Sequence, residues 1–183
     1  MKIPWSDRKK ALIIVDVQSG FLNQRNKYIV DNIKKLLANT DYDFYVESVF
    51  YAEKDSLWNK QTDWFLPKDK NTKTVSELLS LLLGKSQLHI EKQTKSVFKG
   101  TPELHNKLQK RGIKELHIVG LDANDCVLAT AYEAFDLGYF TYVIEECTES
   151  SSSEEIRDAG FALLRHVNLT NNSCIEKLKI KEI

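Results

Sequence analysis

Charge of either sign is in no excess in this chain: 26 lysines and arginines balance 26 aspartates and glutamates over 183 residues. A chain without a basic or acidic surplus gives no electrostatic reason to expect nucleic acid or an anionic membrane surface as a partner. Long apolar runs are missing as well. The run at 11–15, which follows the charged opening MKIPWSDRKK, is far too short for a signal-peptide core or a membrane span, and Asp16 ends it. Cysteine is sparse, with three residues at 126, 147 and 174. An odd, widely spaced set with no Cys-x-x-Cys pair excludes a cysteine metal site of the usual spacing and argues against a disulfide framework. The expectation is a reduced cytoplasmic chain with free thiols. No internal repeat is visible, and the only low-complexity stretch is the serine run at 150–153. No glycine-rich phosphate loop follows Asp16, where Gly20 is the one glycine nearby, so a nucleotide-binding module is a weak reading.

What the chain does have is a globular composition, 42% apolar and 28% charged, and enough length for one sizeable core. A single domain over residues 1–183 is expected. Short apolar runs at 11–15, 44–50, 87–90, 116–119 and 141–144, with a weaker one at 167–169, have the β-branched and aromatic content of buried parallel strands. Amphipathic segments alternate with them. Helices are predicted over 28–38, 74–83, 102–111, 125–137 and 154–165, with Gly84, Gly112 and Gly138 at their ends and Ser153 as a cap. This alternation predicts right-handed βαβ units and a three-layer α/β/α fold around a mostly parallel open sheet of about six strands.

In such sheets chemistry gathers at the carboxyl ends of the strands. That rule selects Asp16, Lys92, the segment 122–126 and the segment 145–147. Cys126 falls in the first turn of a predicted helix, where free N–H groups and the helix dipole favour a thiolate and can hold an oxyanion. The alternative is a small buried hydrophobe, the common fate of a free cysteine. Asp16 can serve as proton acceptor for a neighbouring thiol, or simply as a turn or capping residue. Lys92 can steady both groups, or be a solvated lysine. Cys147 and Cys174 read as structural or incidental, and the pair Glu145–Glu146 as a solvated turn.

Three stretches, taken together, resemble one family. ALIIVDVQSGF at 11–21 resembles the D-x-Q-x-x-F opening of the isochorismatase-like cysteine hydrolases. KQTKSVFKGT at 92–101 resembles their K-x-x-x-S-x-F-x-x-T stretch. GLDANDCV at 120–127, with ATAYEAFDLGY after it, resembles their nucleophile region. The resemblance implies a catalytic triad of Cys126, Asp16 and Lys92. It also implies an oxyanion hole from the backbone N–H groups of Asp122 and Cys126, with a cis peptide between Leu121 and Asp122. Lys95 is the rival lysine, but the motif places its lysine earlier, which points to Lys92.

The chain departs from the family's nicotinamide-deaminating members, which carry an Asp-x-His and a further His that bind a metal. The corresponding region, SVFYAEKDSLWNKQTDWF at 48–65, has no histidine, so no metal and no cofactor is expected. The isochorismate-cleaving members lack a cysteine at the position of Cys126. What remains is hydrolysis of a small amide, ureido or carbamoyl C–N bond through a thioester. Ether hydrolysis on the same fold and a non-catalytic binding protein are the alternatives. Phe21, Trp58 and Phe98 are the expected pocket aromatics, with Trp64 and Phe65 near them in a loop; core or interface packing is the competing reading for the tryptophans. The expected partners are a small-molecule substrate and further copies of the chain, as a dimer or tetramer, with no nucleic acid and no membrane.

Overall fold

The computed structural model describes residues 1–173 and 179–183. Its elements in chain order are β1 (Lys2–Trp5), β2 (Lys10–Val15), α1 (Tyr28–Asn39), β3 (Phe44–Phe50), α2 (Leu57–Thr62), a 3-10 turn at Lys70–Thr72, α3 (Ser76–Leu82), β4 (Gln87–Lys92), α4 (Val97–Gly100), α5 (Glu103–Lys110), β5 (Glu115–Leu121), α6 (Cys126–Asp136), β6 (Phe140–Glu149), α7 (Glu154–His166) and β7 (Lys179–Glu182). No helix among the described residues is long and apolar enough to cross a membrane.

Five strands form one parallel sheet in the order β4-β3-β2-β5-β6. Every residue of β2 is buried. Ala11, Ile13 and Val15 face one core with α4 to α7, while Leu12 and Ile14 face the other with α1 and α3. A strand covered on both faces has no polar side to show, which is why 11–15 reads as an unbroken apolar run. On α1 the buried residues Ile29, Ile33, Leu36 and Leu37 keep helical spacing.

One strand expectation is corrected. The run at 167–169 does not make a sixth strand. Asn168, two residues past the end of α7, adopts φ 59, and the segment after it joins β6 only through a parallel bridge between Val143 and Thr170. A separate antiparallel pair, β1 with β7, was not anticipated, because four-residue strands carry too little periodicity to read. In addition, the stretch around Trp58 is helical: Ser56 accepts a hydrogen bond from Asn59 N and starts α2.

Strand order fixes where a site can form. The chain runs outward from β2 through β3 to β4, then crosses to β5 on the other side of β2. The crevice at such a reversal lies beyond the carboxyl ends of β2 and β5. There Gly120 pairs with Val15 at φ +119, and a Cβ on it would sit 2.1 Å from the Val15 carbonyl oxygen. No side chain fits between these backbones. Gly120→Ala should therefore cost about 2–4 kcal/mol, combining overpacking with backbone strain. Gly138→Ala, at φ +88 with open space around it, should cost only about 1 kcal/mol. Urea unfolding of the two variants checks this, and equal midpoints would contradict it.

Candidate active site

Asp16 is the first residue past β2 and adopts φ 51, a left-handed conformation uncommon for a residue with a side chain. Its N–H donates to Ser48 O at 3.0 Å. One carboxylate oxygen accepts from Ser48 Oγ at 2.7 Å and the other from Lys92 Nζ at 2.6 Å. The pair is sealed, with the Lys92 side chain 0% exposed and that of Asp16 1%. Lys92 also donates to Thr94 O at 3.0 Å. Room for its aliphatic stem comes from Gly100, where a Cβ would lie 2.6 Å from Lys92 Cβ. Lys92 ends β4, two strands away from β2, and its side chain crosses the end of β3 to reach Asp16.

Cys126 opens α6 from the other side of the crevice, and its thiol interacts with both Asp16 and Lys92. The structure thus brings together the three residues selected from sequence. The expected thiolate, however, is corrected. Burial, then the charge of Asp16, pushes the Cys126 thiol well above the ordinary cysteine value, and Lys92 only partly opposes them. Burial draws the Lys92 ammonium down, but Asp16 and Cys126 outweigh it and the net direction is up.

The peptide between Leu121 and Asp122 is cis. The carbonyl of Asp122 accepts from Asp125 N and Val127 N, while among the described residues the N–H groups of Asp122 and Cys126 have no protein acceptor. The Asp122 carboxylate accepts from Ser151 N at 2.8 Å and Ser151 Oγ at 2.6 Å. Burial pushes this carboxyl up against those two hydrogen bonds.

A cavity of about 170 Å³ opens over these groups. Asp16, Asp122, Asp125 and Cys126 line one side, and Phe21, Phe50, Trp58 and Trp64 supply the aromatic walls. Phe50 packs edge-on to Trp58 with ring centres 5.4 Å apart, and Trp58 to Trp64 at 6.1 Å. Lys95 does not join Asp16. It pairs with Asp125 and lies 3.8 Å over the Trp58 ring. Phe98 is corrected: it is 3% exposed in the core and stacks on Tyr139, because α4 turns its apolar side down onto the sheet.

The other sequence candidates fall elsewhere. Cys147 is buried, and burial raises its thiol; Cys174 lies outside the described residues. Glu145 is not in a solvated turn but is buried in β6, paired with Arg165. His89, His105 and His117 bond Glu47, Tyr139 and Glu115 respectively, and no histidine lines the cavity. With Asp16, Asp122 and Asp125 already engaged, the donor set does not suit a metal, and no metal-binding group of three exists among the described residues.

Sequence reasoning missed three positioning residues. Ser48 was visible only as a small polar residue in an apolar strand. Gln18 clamps β3 to the Asp16 turn, donating to Phe50 O at 3.0 Å and accepting from Phe50 N at 2.6 Å. Ser151 lay hidden in the serine run.

A family model described as the isochorismatase domain matches residues 10–173. An uncharacterized isochorismatase family protein, PncA of Bacillus subtilis, is 30% identical over 166 residues, which is 80% of this chain and 89% of that protein. Nicotinamidase 3 of Arabidopsis thaliana is 30% identical over 109 residues, 56% of this chain and 54% of that one. The crystal structure of nicotinamidase PncA from Bacillus subtilis superposes with a TM-score of 0.69 at 25% identity, covering 86% of this chain and 94% of that one. PnC1 from L. infantum, solved with nicotinate, gives 0.77 at 18% identity over 92% and 94%, a likeness of fold alone.

Removing one partner of a buried ion pair strands the other charge, at a cost of about 3–5 kcal/mol. Lys92→Met and Asp16→Asn should each destabilise the protein by that order, and the double variant by clearly less than the sum, as read by denaturant unfolding at pH 7. Because the folded-state pKa of Lys92 is raised, its contribution is fully present below the ordinary lysine value of about 10.4 and is lost as pH climbs through the higher folded value. Lys92→Met should lose that alkaline decline.

Proposed function

The chain belongs to the isochorismatase family, and from that premise we propose that it is a cysteine hydrolase acting on a C–N bond of a small amide. The observation that carries this reading is that Cys126 and Asp16 line one cavity while the buried Lys92 ammonium holds Asp16 from beneath. Relatives named as nicotinamidases support an amide rather than an ether as the bond cleaved.

In the proposed cycle Asp16 takes the Cys126 proton as the sulfur attacks the carbonyl carbon. Transfer coupled to attack suits a thiol whose resting state is protonated. The oxyanion that forms accepts hydrogen bonds from the N–H groups of Asp122 and Cys126, which have no competing acceptor among the described residues. The C–N bond breaks, the nitrogen leaves with the proton held by Asp16, and a thioester remains. Water, giving a proton to Asp16, attacks the thioester. A second oxyanion collapses, the acid departs, and Asp16 returns the proton to sulfur. Lys92 keeps its charge throughout and stabilises Asp16 whenever that group is ionised.

Cys126→Ala and Cys126→Ser should each lower ammonia release from small primary amides by about a thousandfold or more, with folding unchanged by circular dichroism. Measured turnover of either variant near the parent rate would exclude the covalent route.

A further inference from the structure

Close to the cavity, but not among its lining residues, lies a second buried charge. Glu149 ends β6 beside Leu121, the last residue of β5, and is 1% exposed. Its carboxylate pairs with Arg25 at 2.9 Å and with Arg157 at 3.0 Å. It also accepts hydrogen bonds from Ser150 N at 2.8 Å and from the Tyr28 hydroxyl at 3.4 Å. The Glu149 carbonyl accepts from Ala123 N at 2.9 Å.

Folding alone does not call for a carboxylate here. Withdrawing charge from water is unfavourable, and apolar side chains in place of a buried ion pair often leave a fold as stable or more so. What Glu149 does accomplish is a link between two stretches that shape the cavity. Arg25 belongs to the loop between β2 and α1, which supplies Phe21 to the cavity. Its guanidinium also donates to Ser150 O and Ser152 O, and Asn23 of the same loop donates to Ser151 O. The buried Asn26 donates to Phe21 O at 2.9 Å. On the other side of the link, Ser151 lines the cavity and holds the Asp122 carboxylate. The N–H of Asp122 is one of the two oxyanion donors in the cycle above. Resting on that hydrolase reading, we propose that Glu149 is a positioning residue: through Arg25 it fastens the Phe21 loop to the Ser151 segment, and so sets the cavity wall and the aim of the Asp122 N–H. Arg157 shares the carboxylate but belongs to α7, which supplies no residue to the cavity. Its pairing serves the stability of the fold.

Three variants separate positioning from stability: Glu149→Gln, which removes the charge at constant shape, Arg25→Met and Arg157→Met. For ammonia release from benzamide, kcat/KM should fall by roughly tenfold or more in Glu149→Gln and in Arg25→Met, with little further loss when the two are combined. Glu149→Asp, which keeps the charge, should recover part of the loss. Arg157→Met should lower the urea midpoint and leave kcat/KM near the parent value. Amide hydrogen exchange across 21–26 and 150–152 should quicken in Glu149→Gln and Arg25→Met and keep the parent rates in Arg157→Met. Parent-like kinetic constants in Glu149→Gln and Arg25→Met would overturn the proposal. So would equal losses in all three variants, the mark of general destabilisation. Should Glu149→Gln not fold, Arg25→Met decides alone, since that side chain is partly exposed. If the parent protein frees no ammonia from benzamide or any other small primary amide, the hydrolase reading fails, and the link itself stands or falls on the exchange rates.

Discussion

A buried ion pair sets the terms for everything around it. Asp16 and Lys92 are withdrawn from water almost completely, and desolvating two charges costs several kcal/mol apiece before any attraction is counted. Only tight geometry offsets that cost, and the neighbouring backbone is shaped to supply it. Asp16 turns into the left-handed region so that Ser48 and Lys92 each reach one of its oxygens. Gly100 leaves space for the lysine stem, and Gly120 lets β5 close against β2. Replacing such a pair with apolar side chains often leaves a fold as stable or more so. Its return here is the field it creates beneath the cavity.

That field bears directly on the thiol. A helix start contributes about 0.3–1 kcal/mol toward an anion near its first turn, whereas full burial can move an ionisable group by several pKa units, each worth 1.36 kcal/mol. Burial wins at Cys126, and Asp16 acts in the same direction. Under the proposed cycle the proton leaves this thiol only as sulfur attacks the carbonyl carbon.

Most of the fold was legible because the layers impose periodicity. Strands covered on both faces must be apolar throughout, and helices covered on one face must repeat every three to four residues. The sixth strand was misread because two apolar residues, Val167 and Leu169, say nothing about the φ of Asn168 between them. At the site, the strand-end rule shortlisted Asp16, Lys92 and the segments 122–126 and 145–147, and the family resemblance singled out Asp16, Lys92 and Cys126. Sequence could not show which way Lys95 and Phe98 point, as both lie within one short loop and turn. Nor could it weigh burial against helix dipole, because that balance depends on Asp16, 110 positions earlier in the chain.

The floor and the wall of the cavity come from different parts of the molecule. The floor comes from strand ends and the first turn of α6, held by the sheet register and by the hydrogen bonds of Gln18 and Ser48. Apart from Phe21, the wall comes from Phe50 and the segment after it, where α2 presents Trp58 and the following loop presents Trp64. That same segment is the one with no histidine. There this chain places aromatic rings around the cavity, and Lys95 pairs with Asp125 and lies over Trp58. A short helix and loop can change the wall without disturbing the register that aims sulfur, carboxylate and ammonium at one another.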